Sequence, residues 1–524
     1  MSKIAKAAVG LMLVTIFSKV LGLVREQFLA AAYGTGLYAA AYSTANNIPV
    51  VLFSIIGSAI ATSLIPMYNK LNAESGEQRA LDFTNTLINI VIIICLIISG
   101  LGMIFTKPLV KLFASGYEGQ VLLTTISFTR ILLISVVFVG LANIMTGYLQ
   151  IKNNFVIPGL IGIPYSFVIM ASIYISLRSN IYILVYGTLI AILFKFLFQV
   201  PFAYKKGYRY SFKINYKDPA MKEILVLILP VVIGVGVSQV SAIIDKSLAS
   251  TLGANVVASF SYATKLYEFV QALFITSILS VVYPKMSKLL VGDNMDAFKV
   301  SLRKTINIIV LLLVPIAIGA SVLAVPIVKV LLQRGQFTYD DTIMTANILK
   351  FYTIGIIAFA VRDVMTRGFY SLHDSKTPMV NGIVSIVFNI VLNLILIRFL
   401  GYKGLALATA ISAYIGLILF YFSLKKKIGN FEQHKVFLVA IKSVVSSLIM
   451  GVAAKFIFEF VSNLLGAGII NEILSLGLSV GAGAIIYFII MYILKVEELN
   501  IVIEMVNSKV KLRRNKSYTM CLYK

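Results

Sequence analysis

Lys19, Arg25 and Glu26 stand inside the first long apolar run of the chain, AKAAVGLMLVTIFSKVLGLVREQFLAAAYG. A run of about 20 apolar residues can cross a bilayer. A charge at its centre costs about 2.5–3.5 kcal/mol on insertion scales. Lys19 is too central to snorkel, so three charges in one span imply a wet, polar cavity. Farther on, YATKLYEFVQ carries Lys265 and Glu268. Three residues apart, they share a helix face and could simply pair with each other. Their depth also suits the cavity: the first span runs outward and this one inward, which brings Lys265 level with Lys19 and Arg25. A cleft holding Lys19, Arg25 and Lys265 attracts an anion, and arginine grips a phosphate with two parallel hydrogen bonds.

A second group is quieter. Asp245, Asn389, Asn393 and Thr409 fall at one depth of three neighbouring apolar runs, with Asn389 and Asn393 one helical turn apart. A carboxylate, amide oxygens and a hydroxyl make a hard oxygen cage for a small cation. Hydrogen bonding between membrane helices accounts for the same residues equally well, and Lys246 beside Asp245 must point away if a cation is to bind. Arg362, Asp363 and Arg367 fall late in their span, where a structural or interfacial role is expected. Lys195, Lys442 and Lys455 are single charges, for which snorkelling is the default. Enzyme signatures are absent. There is no GxxxxGK[ST] loop for a nucleotide, the histidines His373 and His434 are far apart, and Cys95 and Cys521 form no disulfide or metal motif. No cofactor is expected. Work by this chain draws on an ion gradient, the membrane potential or a substrate gradient.

The elements that must position these residues are membrane spans. The chain is 59% hydrophobic and 13% charged, with a mean hydropathy of +0.94. Its net charge of +25 is spread over short loops, which is the positive-inside pattern and not a nucleic-acid patch. Apolar runs fall near 7–32, 40–66, 84–106, 122–148, 155–177, 181–203, 223–248, 254–283, 305–332, 343–369, 378–399, 403–424, 437–460 and 473–494, which makes 14 candidate helices. The first is too long for a signal peptide and Lys19 interrupts it, so it reads as a retained span. Basic residues follow the even-numbered spans: Lys70 and Arg79; Lys205, Lys206, Arg209, Lys213 and Lys217; Lys285, Lys288, Lys299, Arg303 and Lys304; Lys425, Lys426 and Lys427; then the tail with Lys509, Lys511, Arg513, Arg514 and Lys516. Both termini are therefore expected in the cytoplasm, although Lys107 and Lys111 go against the trend.

The chain also repeats. SLIPMYNKL matches SVVYPKMSKLL, so that Pro66 pairs with Pro284 at an offset of 218; MTGYLQIKNNFVIP matches MTRGFYSLHDSKTP, so that Pro158 pairs with Pro378 at 220. The expected fold is an all-α polytopic membrane protein. It has two pseudo-symmetric six-helix lobes, 1–215 and 216–428, and residues 429–524 add two helices and a basic tail. A substrate site is expected between such repeats.

Several stretches resemble one family. FSKVLGLVREQFLAAAYGTG is similar to the first-span signature of the MurJ (MviN) lipid II flippases, a branch of the multidrug/oligosaccharidyl-lipid/polysaccharide exporter superfamily. RGQFTYDDT and GFYSLHDSKTP resemble that family too. The resemblance covers spans one to twelve. It implies alternating access around a central cationic cavity in the bacterial cytoplasmic membrane. The implied substrate is the undecaprenyl-pyrophosphate-linked peptidoglycan precursor, moved from the inner to the outer leaflet, with membrane lipids and cell-wall synthesis enzymes as partners. Lys19 and Lys265 stand where the family usually has arginines, Arg25 matches the cavity arginine, and Glu26 and Glu268 match acidic neighbours. Asp245, Asn389, Asn393 and Thr409 resemble a sodium site known in some members, which makes Na+ the implied coupling ion.

The chain also departs from the family. Ala40 replaces a span-two aspartate, and Phe53 and Ser58 stand where arginine and glutamate are common. The cavity is accordingly expected to carry less charge than usual, and a capsule or O-unit type flippase for another polyprenyl-linked glycan is the alternative. A cationic-drug exporter would need a predominantly acidic cavity. A scaffold for cell-wall enzymes would need no buried charge.

Overall fold

In lipid a backbone must satisfy its hydrogen bonds internally, and a chain this apolar does so as helices. The structure, a computed structural model, describes residues 3–499 other than 213, 214, 216, 217 and 293. Lys213, Lys217, Cys521 and the basic tail from Lys509 to Lys516 lie outside the described residues, as does the side chain of Ser58.

The first helices are α1 (Lys3–Tyr33), α2 (Leu37–Ser75), α3 (Glu77–Ile104), α4 (Thr106–Phe113), α5 (Gly119–Leu133), α6 (Ser135–Ile151) and α7 (Val156–Leu160). Next come α8 (Gly162–Ser176), α9 (Tyr182–Leu197), α10 (Val200–Lys205), α11 (Pro219–Thr251), α12 (Ala254–Gln271) and α13 (Ser277–Val291). A π-helical turn, Ala272–Thr276, joins the last two. The remainder are α14 (Met295–Val322), α15 (Ala324–Leu332), α16 (Tyr339–Ser371), α17 (Lys376–Leu400), α18 (Tyr402–Ile428), α19 (Gln433–Leu465) and α20 (Ile469–Ile493). No strand occurs among the described residues. Among them, nine helices are long and apolar enough to cross a membrane, or ten if α5 and α6 form one bent span. The chain is thus a multi-pass membrane protein.

Helix breaks have local causes. The apolar run 305–332 is not one span, as its composition suggested: α14 stops at Val322 and α15 starts anew at Ala324. Pro326 sits in the first turn of α15, where its missing N–H is harmless, whereas within a continuing helix it would break the ladder. Pro108 does the same for α4, the short amphipathic helix that carries Lys107 and Lys111. These charges belong to that helix and not to a loop, and Lys111 Nζ donates to the carbonyl of Ser115 at 3.1 Å. The 42° bend between α5 and α6 has no proline. There the hydroxyls of Ser135 and Ser99 take the carbonyls of Leu132 (2.6 Å) and Leu133 (2.8 Å) out of the ladder.

The sequence repeat has a backbone counterpart. α4 and α15 begin at residues 106 and 324, an offset of 218. The left-handed residues Asn153 (φ 56°) and His373 (φ 57°) end equivalent helices at an offset of 220.

The contacts divide the chain into two compact units. One takes the described residues up to Phe269 together with Leu331–Ile348 and Gly382–Ala408. Its core packs α2, α3 and α6 around Phe53, Leu64, Phe83 and Leu87, and Tyr68, Tyr148 and Tyr208 meet edge to face. The second takes Val270–Val330, Leu349–Asn381 and the described residues from Thr409 on. In it α14, α19 and α20 pack through small residues, Ser443, Ser447, Gly451 and Ala454 on α19 and Ser475, Ser479 and Gly483 on α20. The opposite face of α19 exposes Leu448, Val452, Phe456 and Phe460. In water such a face would be an aggregation site; in a bilayer it is the solvated side.

The start of α11 is pinned electrostatically. Asp218 accepts from the Ala220 amide at 3.0 Å as its cap, and Arg79 grips both carboxylate oxygens at 2.6 and 2.5 Å. Arg79 holds the Asp218 carboxyl below the usual carboxylate range. Removing the cap with Asp218→Ala should cost about 1 kcal/mol. Asp218→Asn keeps an acceptor and should cost less. Because the folded carboxyl is the stronger acid, its charge stabilises the fold fully above the unfolded pKa of about 4, and that stability is lost as pH falls through the lower folded pKa. Thermal unfolding in detergent should therefore separate wild type from Asp218→Asn at pH 7 and bring them together near pH 3. An unchanged gap would remove the ion pair from the account.

Candidate functional site

α1 carries Lys19, Arg25 and Glu26 past α8. The two helices approach closely because Gly162 has no side chain: a Cβ there would meet Ser18 Oγ at 2.1 Å. Beside this contact lies a cavity of about 200 Å³ lined by Lys19, Arg25 and Glu26 of α1, Tyr165 and Ser166 of α8, and Lys265 and Glu268 of α12. Every residue assigned to an anion site from the sequence thus lines one cavity. Arg25 Nη2 lies 2.6 Å from Glu26 Oε1, and its guanidinium sits 5.0 Å from the centre of the Tyr165 ring. Lys265 Nζ pairs with Glu268 Oε2 at 2.9 Å, so the local ion pair and the cavity role hold together.

Two further cations join the group. Lys195 Nζ lies 3.7 Å from the centre of the same Tyr165 ring and in electrostatic range of Lys19, Arg25 and Lys265. It does not snorkel away: an aromatic face holds it. Lys246 interacts electrostatically with Lys265 and Glu268. Three cations (Lys19, Arg25, Lys265) and two carboxylates (Glu26, Glu268) line the cavity, a formal excess of one positive charge, and Lys195 stands beside it on the Tyr165 ring. Sequence reasoning missed Lys195 and Tyr165 because neither has a charged neighbour along its own helix. Ala40 and Phe53 are buried.

Beyond the cavity the turn between α1 and α2 is sealed. The Gln336 amide donates to the Ala31 carbonyl at 2.9 Å, the Tyr262 hydroxyl to the Gly34 carbonyl at 3.0 Å, and Thr35 to Asp341. Gly335 (φ 57°) allows this approach, since a Cβ there would meet the Ala31 carbonyl oxygen at 2.2 Å. The segment RGQFTYDDT supplies Gln336 and Asp341 to these contacts.

The second constellation is partly assembled. Asn393 Nδ2 donates to Asp245 Oδ1 at 2.5 Å and to Asn389 Oδ1 at 3.2 Å, and Ser241 Oγ donates to Asn389 Oδ1 at 3.1 Å. Asn393 Oδ1 is buried with no hydrogen-bond partner. An orphaned amide oxygen beside a carboxylate fits a cation, since it supplies the ligand that helix-to-helix bonding leaves unused. A single carboxylate suits a monovalent ion better than calcium, which takes six to eight oxygens. Thr409 belongs to the second contact unit, and its carbonyl accepts from Ser412 Oγ at 3.0 Å. No group of three His, Cys, Asp or Glu capable of holding a metal occurs among the described residues.

The other single charges find partners. Arg367 lies 5.4 Å from the Tyr283 ring centre and Arg362 lies 4.8 Å from that of Phe359. Lys442 donates to the Leu494 carbonyl at 2.8 Å, and Lys455 approaches Glu459 at 3.8 Å.

Comparison with known proteins gives these features a family. The probable lipid II flippase MurJ of Vibrio cholerae is 29% identical over 513 residues, spanning 94% of this chain and 97% of that one. The lipid II flippase MurJ of Burkholderia cenocepacia is 25% identical over 426 residues, 79% of this chain and 82% of its own length. A solved lipid II flippase MurJ in an inward closed conformation superposes with a TM-score of 0.77 at 25% identity, covering 92% of this chain and 98% of that one. An inward-facing multidrug MATE transporter shares the fold, with a TM-score of 0.68 at 14% identity over 81% of this chain and 99% of its own. The profile of the family described as lipid II flippase MurJ matches residues 29–494, and this chain belongs to that family.

Proposed function

We propose that this chain flips lipid II, the lipid-linked peptidoglycan precursor, from the inner to the outer leaflet of the cytoplasmic membrane. It is a transporter and not an enzyme. The observation that carries the reading is the cavity lined by Arg25, Lys19 and Lys265 against two carboxylates, with Lys195 beside it on the Tyr165 ring. A pyrophosphate carries compact negative charge and needs such a site, because like charges in a low-dielectric setting repel strongly until an anion neutralises them. The polyprenyl tail stays in lipid beside exposed apolar helix faces.

Empty and loaded states are balanced by the carboxylates. Without substrate, Glu26 and Glu268 partner Arg25 and Lys265, so neither cation is left unpaired. Pyrophosphate displaces them, and after release they pair again, which lowers the barrier to returning empty. Alternating access requires that the contacts at Ala31, Gly34, Thr35 and Asp341 part. The long helices α1, α2 and α11 and the α12–α13 helix complete a set of fourteen spans, arranged as lobes 1–215 and 216–428 plus α19 and α20, with both termini cytoplasmic. Enzymes that consume the precursor outside are the proposed partners.

Sodium is the proposed coupling ion, held by Asp245 with Asn389 and Asn393. α11 links this site to the cavity, because Asp245 turns toward Asn393 while Lys246, about 100° round the helix, interacts with Lys265 and Glu268.

Three measurements test this reading. In cells depleted of their own flippase, Arg25→Ala should abolish rescue at normal membrane levels, and Arg25→Lys should rescue in part, since a point charge replaces a fork. Tyr165→Ala should impair rescue more than Tyr165→Phe, which keeps the ring between Arg25 and Lys195. Normal growth on Arg25→Ala would overturn the headgroup assignment. In a background lacking Cys95 and Cys521, a cysteine at Gly36 should react with an impermeant thiol reagent from outside, and one at Lys206 only after the membrane is opened; the reverse pattern would invert the leaflets. Sodium should raise the melting temperature of the purified protein above that in potassium or choline at equal ionic strength, by mass action on the folded form. Asp245→Asn should erase most of that increment and Asn389→Ala less of it. Equal melting in all three salts would leave these residues as interhelical hydrogen bonds.

A further inference from the structure

A second cavity, apart from the cationic one, opens on the side of the first unit where the α10–α11 linker begins. It measures about 300 Å³ and is almost wholly apolar. Ile92 of α3, Leu141 and Met145 of α6, Phe196 of α9 and the buried Tyr208 form its walls, and the exposed Tyr204 and Tyr210 its rim. Walls of this kind suit a hydrocarbon chain. What distinguishes the cavity from a packing fault is the strap over it. Tyr208 donates its hydroxyl to Asn85 Oδ1 at 2.8 Å, while Asn85 Nδ2 donates to the Arg209 carbonyl at 2.8 Å. One turn along α3, Tyr210 donates to Asn89 Oδ1 at 2.8 Å, and Asn89 Nδ2 donates to the Ser211 carbonyl at 3.2 Å. Two asparagines thus stitch the backbone of residues 208–211 to α3 and fix the tyrosines at the mouth. Tyrosine there is suited to a headgroup boundary, with its ring in hydrocarbon and its hydroxyl among polar groups.

The mouth is basic. Lys205, Lys206 and Arg209 are exposed and alternate with the tyrosines of the rim. The Arg209 guanidinium donates to the carbonyls of Tyr204 (2.9 Å) and Tyr208 (2.8 Å) and lies 5.6 Å from the Tyr204 ring centre, so its charge stands at the opening. The nearby carboxylate of Glu77 is taken up by Lys152. Apolar depth, a tyrosine collar and a cationic edge are the three zones of one molecule of the surrounding bilayer.

We infer that this cleft is a binding site for an anionic phospholipid, with an acyl chain between α3, α6 and α9 and the phosphate against Lys205, Lys206 and Arg209. The bound lipid ties the start of the linker to the membrane surface. The site is separate from substrate translocation and does not depend on it.

The chain contains no tryptophan, so Phe196→Trp places a single indole in the cavity wall. The variant is reconstituted in nanodiscs of phosphatidylcholine with a fixed fraction of brominated lipid, either brominated phosphatidylglycerol or brominated phosphatidylcholine. Bromine quenches indole on contact. The brominated anionic lipid should quench more strongly, with local enrichment of about fivefold for each basic side chain engaged. The excess should vanish when Lys205, Lys206 and Arg209 are all replaced by alanine, while quenching by brominated phosphatidylcholine stays the same. A tryptophan at Phe456, on the exposed face of α19, should show no preference between the two lipids. Equal quenching at position 196, or an excess that survives the triple substitution, would overturn the proposal.

Discussion

Arg25 is held between a carboxylate on its own helix and an aromatic ring on another, and much of the first unit follows from keeping that guanidinium at depth. A buried cation needs paired charge, hydrogen bonds or an aromatic face, or else it is expelled. Glu26 supplies the first at 2.6 Å and Tyr165 the last. Tyr165 can reach only because α8 lies against α1, and α8 lies there only because Gly162 leaves room for Ser18. The ring then serves a second cation, Lys195, which draws α9 into the same arrangement. One interhelical contact therefore concentrates positive charge from two helices on one ring. None of these charges would be stable in its own helix within lipid, so the cavity and its charge are one construction.

The legibility of the fold divides along the same line. Span positions were readable because hydrophobic thickness sets run length directly, and the repeat was readable because proline and turn residues recur at 218 and 220. The break inside 305–332 was not, since hydropathy is blind to a proline that starts a new short helix instead of kinking an old one. The α5–α6 bend was hidden for a different reason. It depends on Ser99, which lies on another helix, and a sequence window cannot see a hydroxyl that arrives from elsewhere.

The site shows the same division. Arg25 with Glu26 and Lys265 with Glu268 could be found because each charge has its partner within three residues. Lys195 could not, because its partner is an uncharged ring on α8, and an isolated lysine in an apolar run looks like any snorkelling lysine. Asn389 and Asn393 were legible from their one-turn spacing. The orphaned oxygen of Asn393, on which the proposed cation site rests, depends on which amide atom meets Asp245 and has no trace in sequence.

Position 245–246 shows how two ligands can act on one another without a shared pocket. Adjacent residues on a helix point about 100° apart, so a carboxylate and an ammonium on successive residues serve different neighbours. Asp245 meets Asn393 of α17, and Lys246 meets the field of Lys265 and Glu268 on α12. In the proposed mechanism a cation at Asp245 and an anion beside Lys265 pull on the same two residues. Each can shift α11 only by its differential affinity for the two positions of that helix, and the coupling is reciprocal in binding free energy. A rigid helix carrying opposite charges on adjacent residues would be enough to link the proposed ion to the proposed pyrophosphate, with Lys246 as the other half of that linkage.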